Sequence, residues 1–132
     1  MAYILIPERG KTLEQSYAGK SYTNKGGVSQ CVEFIRQTLN APDTTHWNEG
    51  KKISRSDSST ISGTPIATFI NGKYSHLGSP NQHAAIYLRQ DAEGIHVLDQ
   101  FPGHNVSPRV IRWEPHWKGL SNDGNAFSVI VW

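Results

Sequence analysis

Apolar residues recur at helical spacing in one early segment of the chain. They fall at Val28, Val32, Ile35 and Leu39, and Phe34 widens the stripe. This spacing puts them on one side of an α-helix. We therefore predict an amphipathic helix that buries this face.

The flanking residues indicate where this helix begins and ends. Ser29 is of the type that caps a helix N-terminus. The residue before Pro42 avoids helical dihedrals, so the helix should end near Asn40. Cys31, the only cysteine, then lies in the first turn. A shorter helix is predicted over residues 12–17, with its first residue as the cap.

The second half of the chain has short apolar runs separated by turn residues, which is typical of strands. Residues 91–94 read as a hairpin turn, and residues 42–63 as a long surface loop. Strands joined so directly favour an antiparallel sheet, with the helix packed on one face, in an α+β domain. The five predicted strands cover residues 66–70, 84–88, 95–98, 109–113 and 127–132.

Length and composition limit the function classes. A chain of 132 residues fits one domain, predicted over residues 1–132. The net charge is +2 and no basic run forms a patch for nucleic acid. A lone cysteine excludes an intramolecular disulfide and disfavours a cysteine-based zinc site. No cofactor or metal is expected.

The first residues, MAYILIPERGK, have a short apolar run without a basic region before it. This pattern does not fit a Sec signal, and no later run has the length of a membrane span. We expect synthesis in the cytoplasm.

Two interpretations of Cys31 compete. A lone cysteine in a helix is more often a small buried apolar residue than a reactive one. At a helix start, however, backbone N–H groups and the helix dipole stabilise a thiolate. The same N–H groups can hold an oxyanion. Gly26 and Gly27, just before the helix, would let a substrate backbone come close.

A thiolate nucleophile needs a base, and the chain has six histidines. His83 is the best candidate, because it opens an apolar strand and is followed by two small alanines. The next strand ends at Asp99, which would orient the imidazole. The other histidines are His46, His104 and His116, which we expect on surface loops, and His76 and His96, which are harder to dismiss.

The register of the hairpin decides between Asp99 and its neighbour Gln100. A two-residue tight turn pairs Asp99 with Ile86 and directs it away from His83, so that Gln100 shares the histidine's face. A bulge at Gly94 would reverse this parity. We favour Asp99 for its charge and keep Gln100 as the reserve.

This order of residues resembles the papain-like cysteine peptidases, including the CHAP and NlpC-type peptidoglycan hydrolases. HAAIYLRQDAEGIHVLDQF resembles their hairpin from the histidine to its orienting residue, and GTPIATF resembles the strand before it. The compact chain also resembles small amidase effectors of type VI secretion systems. Two features depart from the pattern: SQCVEF lacks the NlpC-type DCSG motif, and no upstream oxyanion glutamine of the papain kind can be placed.

The resemblance implies a papain-like fold and a catalytic triad of Cys31, His83 and Asp99. It implies hydrolysis of an amide in the peptide stem of peptidoglycan, such as the bond between D-glutamate and diaminopimelate. It also implies a monomer delivered to the periplasm of a target cell and a cognate immunity protein. Candidate cleft residues are Tyr22, Trp47, Tyr74, Tyr87 and Trp113, although aromatic residues of a small domain are more often core.

Two other function classes remain open. A cysteine deamidase or transglutaminase that modifies proteins would use the same triad. A non-enzymatic binding module would keep Cys31 buried and use its four tryptophans for carbohydrate or protein contacts.

Overall fold

A computed structural model describes residues 3–74 and 81–132 of the chain. Within these residues two α-helices precede all six strands, which confirms the α+β prediction. The helices are α1 (Leu13–Tyr17) and α2 (Cys31–Leu39); the strands are β1 (Asn48–Lys52), β2 (Pro65–Thr68), β3 (Ala84–Gln90), β4 (Gly94–Phe101), β5 (His104–Arg112) and β6 (Phe127–Val131).

The six strands form one antiparallel sheet in the order β1-β6-β2-β3-β4-β5. The described residues form one strand more than the five predicted, because β1 lies inside the segment predicted as a loop. Its sequence, NEGKK, is polar, and all five residues are at least partly exposed at the edge of the sheet. An exposed edge strand with two lysines has no apolar alternation from which it could be recognised.

Two apolar clusters lie on the two faces of this sheet. Alternation along β3 separates them, since Ala84 and Ile86 face α2 whereas Ala85 and Tyr87 face away. The helix-side core contains Leu5, Leu13, Phe34, Ile35, Trp47, Ala67, Tyr74, Ala84, Ile86, Leu88, Leu98, Val106 and Ile130. The opposite core contains Ile53, Ile66, Ala85, Tyr87, Ile95, Val97, Ile111, Trp113 and Phe127.

Helix α2 begins later than predicted. Its N-cap is Gln30, not Ser29, and its first helical residue is Cys31. Val28 lies before the helix and is 38% exposed, so it is not part of the buried face. The chain turns before the helix because the Asn24 Oδ1 accepts from the backbone N–H groups of Gly26 and Val28, at 2.9 and 3.0 Å. The placement of Cys31 in the first turn is confirmed.

The predicted C-terminal end of α2 and the predicted N-cap of α1 agree with the structure. α2 ends at Leu39, and Asn40 follows in the left-handed region with φ 52°. α1 begins after Thr12, whose hydroxyl accepts from the backbone N–H of Gln15 at 3.1 Å. The Gln15 side chain accepts in return from the Thr12 N–H at 2.8 Å, completing a capping box.

A β-bulge sets the register between β3 and β4. The connecting turn is tight, with the Asp91 N–H donating to the Gly94 carbonyl at 3.1 Å. The pairing then shifts between Tyr87 and Arg89, which leaves Leu88 as the extra residue, and Ile86 pairs with Leu98. In the same register the next pair places Asp99 opposite Ala85, and Ala85 lies on the same face of the hairpin as His83. The reversal of parity therefore arises at Leu88 and not at Gly94.

Within residues 3–74 and 81–132, no helix has the length and apolar character needed to cross a membrane. Contacts of α2 with β3 and β4 hold the helix against the centre of the sheet. They bring the start of α2 beside the first residues of β3.

Candidate active site

Cys31 is the first residue of α2, and its side chain is partly exposed. Three groups surround the thiol. The His83 ring and the Ala84 backbone hydrogen-bond with it, and the Tyr74 hydroxyl lies 3.8 Å from Sγ. Gln30 makes no side-chain cap, so its side chain does not satisfy the backbone N–H groups at the helix start. The thiol thus has several hydrogen-bonding neighbours on a residue that is only partly buried.

His83 joins the thiol to a carboxylate. Its Nε2 lies 2.7 Å from the Asp99 Oδ2, and both side chains are almost completely buried. Since Nε2 is engaged by the carboxylate, Nδ1 is the nitrogen available to the Cys31 thiol. The structure therefore brings the three residues Cys31, His83 and Asp99 into one hydrogen-bonded row.

The backbone of His83 is fixed by Thr68 at the end of β2. The His83 N–H donates to the Thr68 hydroxyl at 3.1 Å, and the Thr68 N–H donates to the His83 carbonyl at 3.0 Å. The His83 ring also meets the Phe127 ring edge-on, with centroids 6.4 Å apart. These contacts fix the imidazole immediately before β3, which begins at Ala84.

The charges in this row favour a thiolate–imidazolium pair. Burial raises the pKa of the Cys31 thiol. The hydrogen bond and positive charge of His83, with smaller contributions from other donors, lower it by more, so the net effect is a lowered pKa. Burial lowers the pKa of His83, but Asp99 and Cys31 raise it to about 9. Such a pair is the reactive form of a cysteine nucleophile.

Arg109 on β5 reinforces the carboxylate. Its Nε and Nη2 each lie 2.7 Å from the Asp99 Oδ2. Burial raises the pKa of Asp99, but His83 and the Arg109 charge together bring it below its usual value. The Arg109 side chain is partly exposed, and its guanidinium lies over the Phe101 ring, 5.8 Å from its centroid. No sequence motif pointed to this arginine, because the register of β4 and β5 places it diagonally from Asp99.

Gln100, the reserve for Asp99, has a different set of partners. Its side chain is fully buried and binds the backbone on both sides of the segment before α2. The Gln100 Nε2 donates to the carbonyls of Tyr22 and Gln30 at 2.6 and 2.8 Å, and its Oε1 accepts from the Tyr22 N–H at 3.0 Å. Asp99 is thus the neighbour of the histidine, and Gln100 clamps the N-cap of the cysteine helix.

The other histidines lie elsewhere. His96 is on β4, where its Nε2 is 2.7 Å from the Asp91 Oδ2 at the hairpin. His104 opens β5 instead of lying in a loop, and His46 ends a short 3₁₀ helix. His76 lies outside the described residues.

The aromatic residues expected to line a cleft are mostly core. Trp47 and Tyr87 are fully buried, and Trp113 is nearly so. Tyr22 is partly buried and stacks on Phe34, with centroids 5.5 Å apart. Tyr74 belongs to the helix-side core and also reaches the thiol, a contact that sequence spacing does not reveal.

A metal-binding geometry occurs away from this row. Ligand atoms of Asp91, Glu93 and His96 lie within 4.8 Å of one another at the β3–β4 turn, and both carboxylates are exposed. Exposed acidic clusters of this kind are common without an ion. The chemistry of the row formed by Cys31, His83 and Asp99 is that of a thiol nucleophile with its base, which a metal need not assist.

Comparisons with known proteins point to one family. The family model described as domesticated amidase effector 2 matches residues 7–130. A type VI secretion amidase effector 2 protein of Salmonella typhi is 32% identical over 117 residues, covering 80% of this chain and 86% of that protein. Domesticated amidase effector 2 of Ixodes scapularis is 29% identical over 103 residues, covering 76% and 70%. The solved structure of a type 6 secretion amidase effector 2 matches with a TM-score of 0.69 at 32% identity, covering 83% and 86%.

Proposed function

The chain belongs to the domesticated amidase effector 2 family, and from this premise we propose that it is a cysteine amidase that cleaves the peptide stem of bacterial peptidoglycan as an antibacterial effector. The observation that supports this most directly is the row of Cys31, His83 and Asp99, with 2.7 Å between His83 Nε2 and Asp99 Oδ2. Cys31 as a residue is partly exposed, at the start of α2, which is compatible with approach of a substrate carbonyl.

In the first half of the reaction the thiol is acylated. His83 takes the thiol proton on Nδ1, and the Cys31 thiolate attacks an amide carbonyl carbon. The new S–C bond moves the carbonyl π electrons onto oxygen, where backbone N–H groups at the start of α2 stabilise the charge. The oxyanion then collapses, the C–N bond breaks, and His83 returns its proton to the leaving amine.

In the second half water regenerates the enzyme. His83 accepts a proton from water, and the resulting hydroxide attacks the thioester carbonyl. When this second tetrahedral intermediate collapses, the C–S bond breaks and the sulfur leaves as a thiolate beside the imidazolium. Asp99 keeps the ring in the productive tautomer through both halves.

The test is a digest of purified peptidoglycan by the wild-type protein, with products separated and weighed by mass spectrometry. We expect new free amines in the stem peptides, and the fragment masses identify whether the D-glutamate–diaminopimelate bond or the cross-link is cut. Cys31→Ala should release none, whereas Lys25→Ala, a change at an exposed residue before the helix, should act as wild type. An intact substrate after incubation with wild type would overturn the proposal.

The same preparation separates the alternatives. Deamidation of added proteins without stem cleavage would favour a protein-modifying enzyme. A Cys31 thiol that resists iodoacetamide in the folded protein would favour a binding module with a structural cysteine. Under the amidase proposal Cys31 reacts faster than a free model thiol near neutral pH, and His83→Ala slows that reaction.

We also propose that the protein acts as a monomer in the periplasm of a target cell and that a cognate immunity protein restrains it. Type VI secretion, in the names of its relatives, supports delivery into other cells. Export of the wild-type chain to the periplasm should lyse the host, and export of Cys31→Ala should not. Survival of cells that export the active protein would argue against this site of action.

A further inference from the structure

The Tyr74 hydroxyl lies beside the nucleophile and has no role in the acylation and hydrolysis steps given above. It lies 3.8 Å from the Cys31 Sγ, and its residue follows β2 closely in the chain. The sequence offers no upstream glutamine of the papain kind as an oxyanion donor. Resting on the proposed amidase function, we propose that Tyr74 is a catalytic residue whose hydroxyl stabilises the Cys31 thiolate and then the oxyanion formed on the substrate.

The ring of Tyr74 is held rigidly. It is 5% exposed and lies within the helix-side core. Its centroid is 5.1 Å from that of Trp47 at an interplanar angle of 59°, and 6.4 Å from that of Phe69 in an edge-on contact. The hydroxyl also interacts with the side chain of Gln82, one residue before the catalytic histidine. A donor fixed in this way needs little reorganisation when charge develops next to it.

The hydroxyl keeps its proton under working conditions. Burial raises the pKa of Tyr74, and the negative charge of Cys31 raises it further. A neutral phenol beside a thiolate donates its hydrogen bond to the sulfur, because the thiolate has no proton to give. Consistent with this direction, the Tyr74 hydrogen bond contributes to lowering the pKa of Cys31.

The same donor can serve the next step. When the sulfur bonds to the carbonyl carbon, the negative charge passes from sulfur to the oxygen on the adjacent atom. The Tyr74 hydroxyl then no longer faces a charged sulfur, and the closest anion is that oxygen. Together with the uncapped N–H groups at the start of α2, it provides a two-sided oxyanion site.

The test variant is Tyr74→Phe, which removes only the hydroxyl and keeps the ring in the core. We expect kcat on stem peptides to fall by about 10²-fold, the usual effect of losing one oxyanion donor, with KM little changed. The midpoint of iodoacetamide reactivity against pH should also move to higher pH, because the thiolate loses a donor.

Tyr87→Phe is the matched control. Tyr87 is equally buried, lies in the opposite core, and loses a hydroxyl that donates to the Gln90 Oε1 at 2.9 Å. Its kcat and its alkylation profile should equal those of wild type, and thermal unfolding of both variants checks that they are folded.

The outcomes separate the two proposals. A Tyr74→Phe protein with wild-type kcat and an unmoved alkylation midpoint would overturn the role of Tyr74 while leaving the amidase function intact. If the wild type cleaves no peptidoglycan, the amidase proposal fails, and the alkylation midpoint of Tyr74→Phe still decides whether its hydroxyl stabilises the thiolate. A raised KM with unchanged kcat in Tyr74→Phe would likewise contradict a role in the transition state, because it would mean that the hydroxyl contributes only to substrate binding.

Discussion

The imidazole of His83 is subject to opposing electrostatic effects. Burial disfavours its positive charge, whereas the Asp99 carboxylate and the Cys31 thiolate favour it. The second effect is larger and raises the pKa of His83 to about 9. The thiol responds in the opposite direction, with its pKa lowered by the same partner. With the thiol pKa lowered and the imidazole pKa raised, the proton that the two groups share lies on the ring, and the sulfur is the nucleophilic thiolate.

This arrangement predicts the pH dependence of the amidase. Activity should rise as Cys31 ionises and fall as pH passes through about 9, where His83 loses the proton that the leaving amine needs. In Asp99→Asn the ring loses the carboxylate charge and keeps only the raising effect of Cys31 on its pKa, so the alkaline limb should move to lower pH. The measurement is kcat/KM against pH for both proteins. An alkaline limb that stays at the same pH in Asp99→Asn would contradict this account.

Arg109 acts one contact further from the chemistry, as a positioning residue. Its charge helps to keep Asp99 ionised, so in Arg109→Gln the carboxylate should take up a proton at higher pH and release its hold on His83. We expect the acid limb of kcat/KM to move to higher pH, and Arg109→Lys to restore part of the shift.

Arg112→Gln is the control for this prediction, because Arg112 lines the same surface cavity as Arg109 but pairs with the exposed Glu93 at 3.1 Å. Its pH profile should match wild type. If Arg109→Gln loses activity equally at every pH, the arginine has only a structural role.

At the scale of elements, the position of the nucleophile depends on a clamp between β4 and the start of α2. Gln100 is fully buried and makes three hydrogen bonds to the backbone of Tyr22 and Gln30. Gln100→Ala leaves those backbone groups without their partner, so we expect a loss of about 2 kcal/mol in the free energy of unfolding. The helix start should also shift, which lowers kcat.

Urea unfolding measures this loss, and Gln37→Ala is the matched control. Gln37 also donates to the same segment, at the Thr23 carbonyl, with a distance of 2.9 Å, but its side chain is exposed. We expect a change below about 0.5 kcal/mol there. Equal effects of the two variants would show that burial of the Gln100 amide is not what holds the helix start.

The elements also show what sequence patterns can and cannot predict here. The apolar stripe of α2 and the strand that begins at His83 were readable, because each has a clear period. The choice of Asp99 over Gln100 was not, since it depends on the bulge at Leu88, whose sequence has no glycine or other marker of a bulge. The contact of Tyr74 with the thiol was equally hidden, because packing between distant segments creates it.

At the scale of the whole molecule, one sheet separates two cores. The helix-side core supports α2 and the nucleophile, and the opposite core packs beneath β3 and β4. His83 directly precedes β3, and Asp99 lies on β4. Each core uses alternate residues of the same strands. Loss of packing on one face would therefore disturb strands that the other core needs, and we predict from this that residues 1–132 fold as one domain.

This shared sheet predicts a single cooperative unfolding transition. Trp47 is in the helix-side core and Trp113 is in the opposite core, whereas Trp132 also packs against the helix-side core and Trp117 is exposed. In a background that carries Trp117→Phe and Trp132→Phe, Trp47→Phe therefore leaves Trp113 to report on the opposite core, and Trp113→Phe leaves Trp47 to report on the helix-side core. Within each variant, the urea midpoint from tryptophan fluorescence should coincide with that from far-ultraviolet circular dichroism. The two variants need not share a midpoint, because each substitution has its own packing cost. A fluorescence midpoint that departs from the dichroism midpoint in only one variant would mean that one core melts first, and the prediction of a single domain would then be wrong.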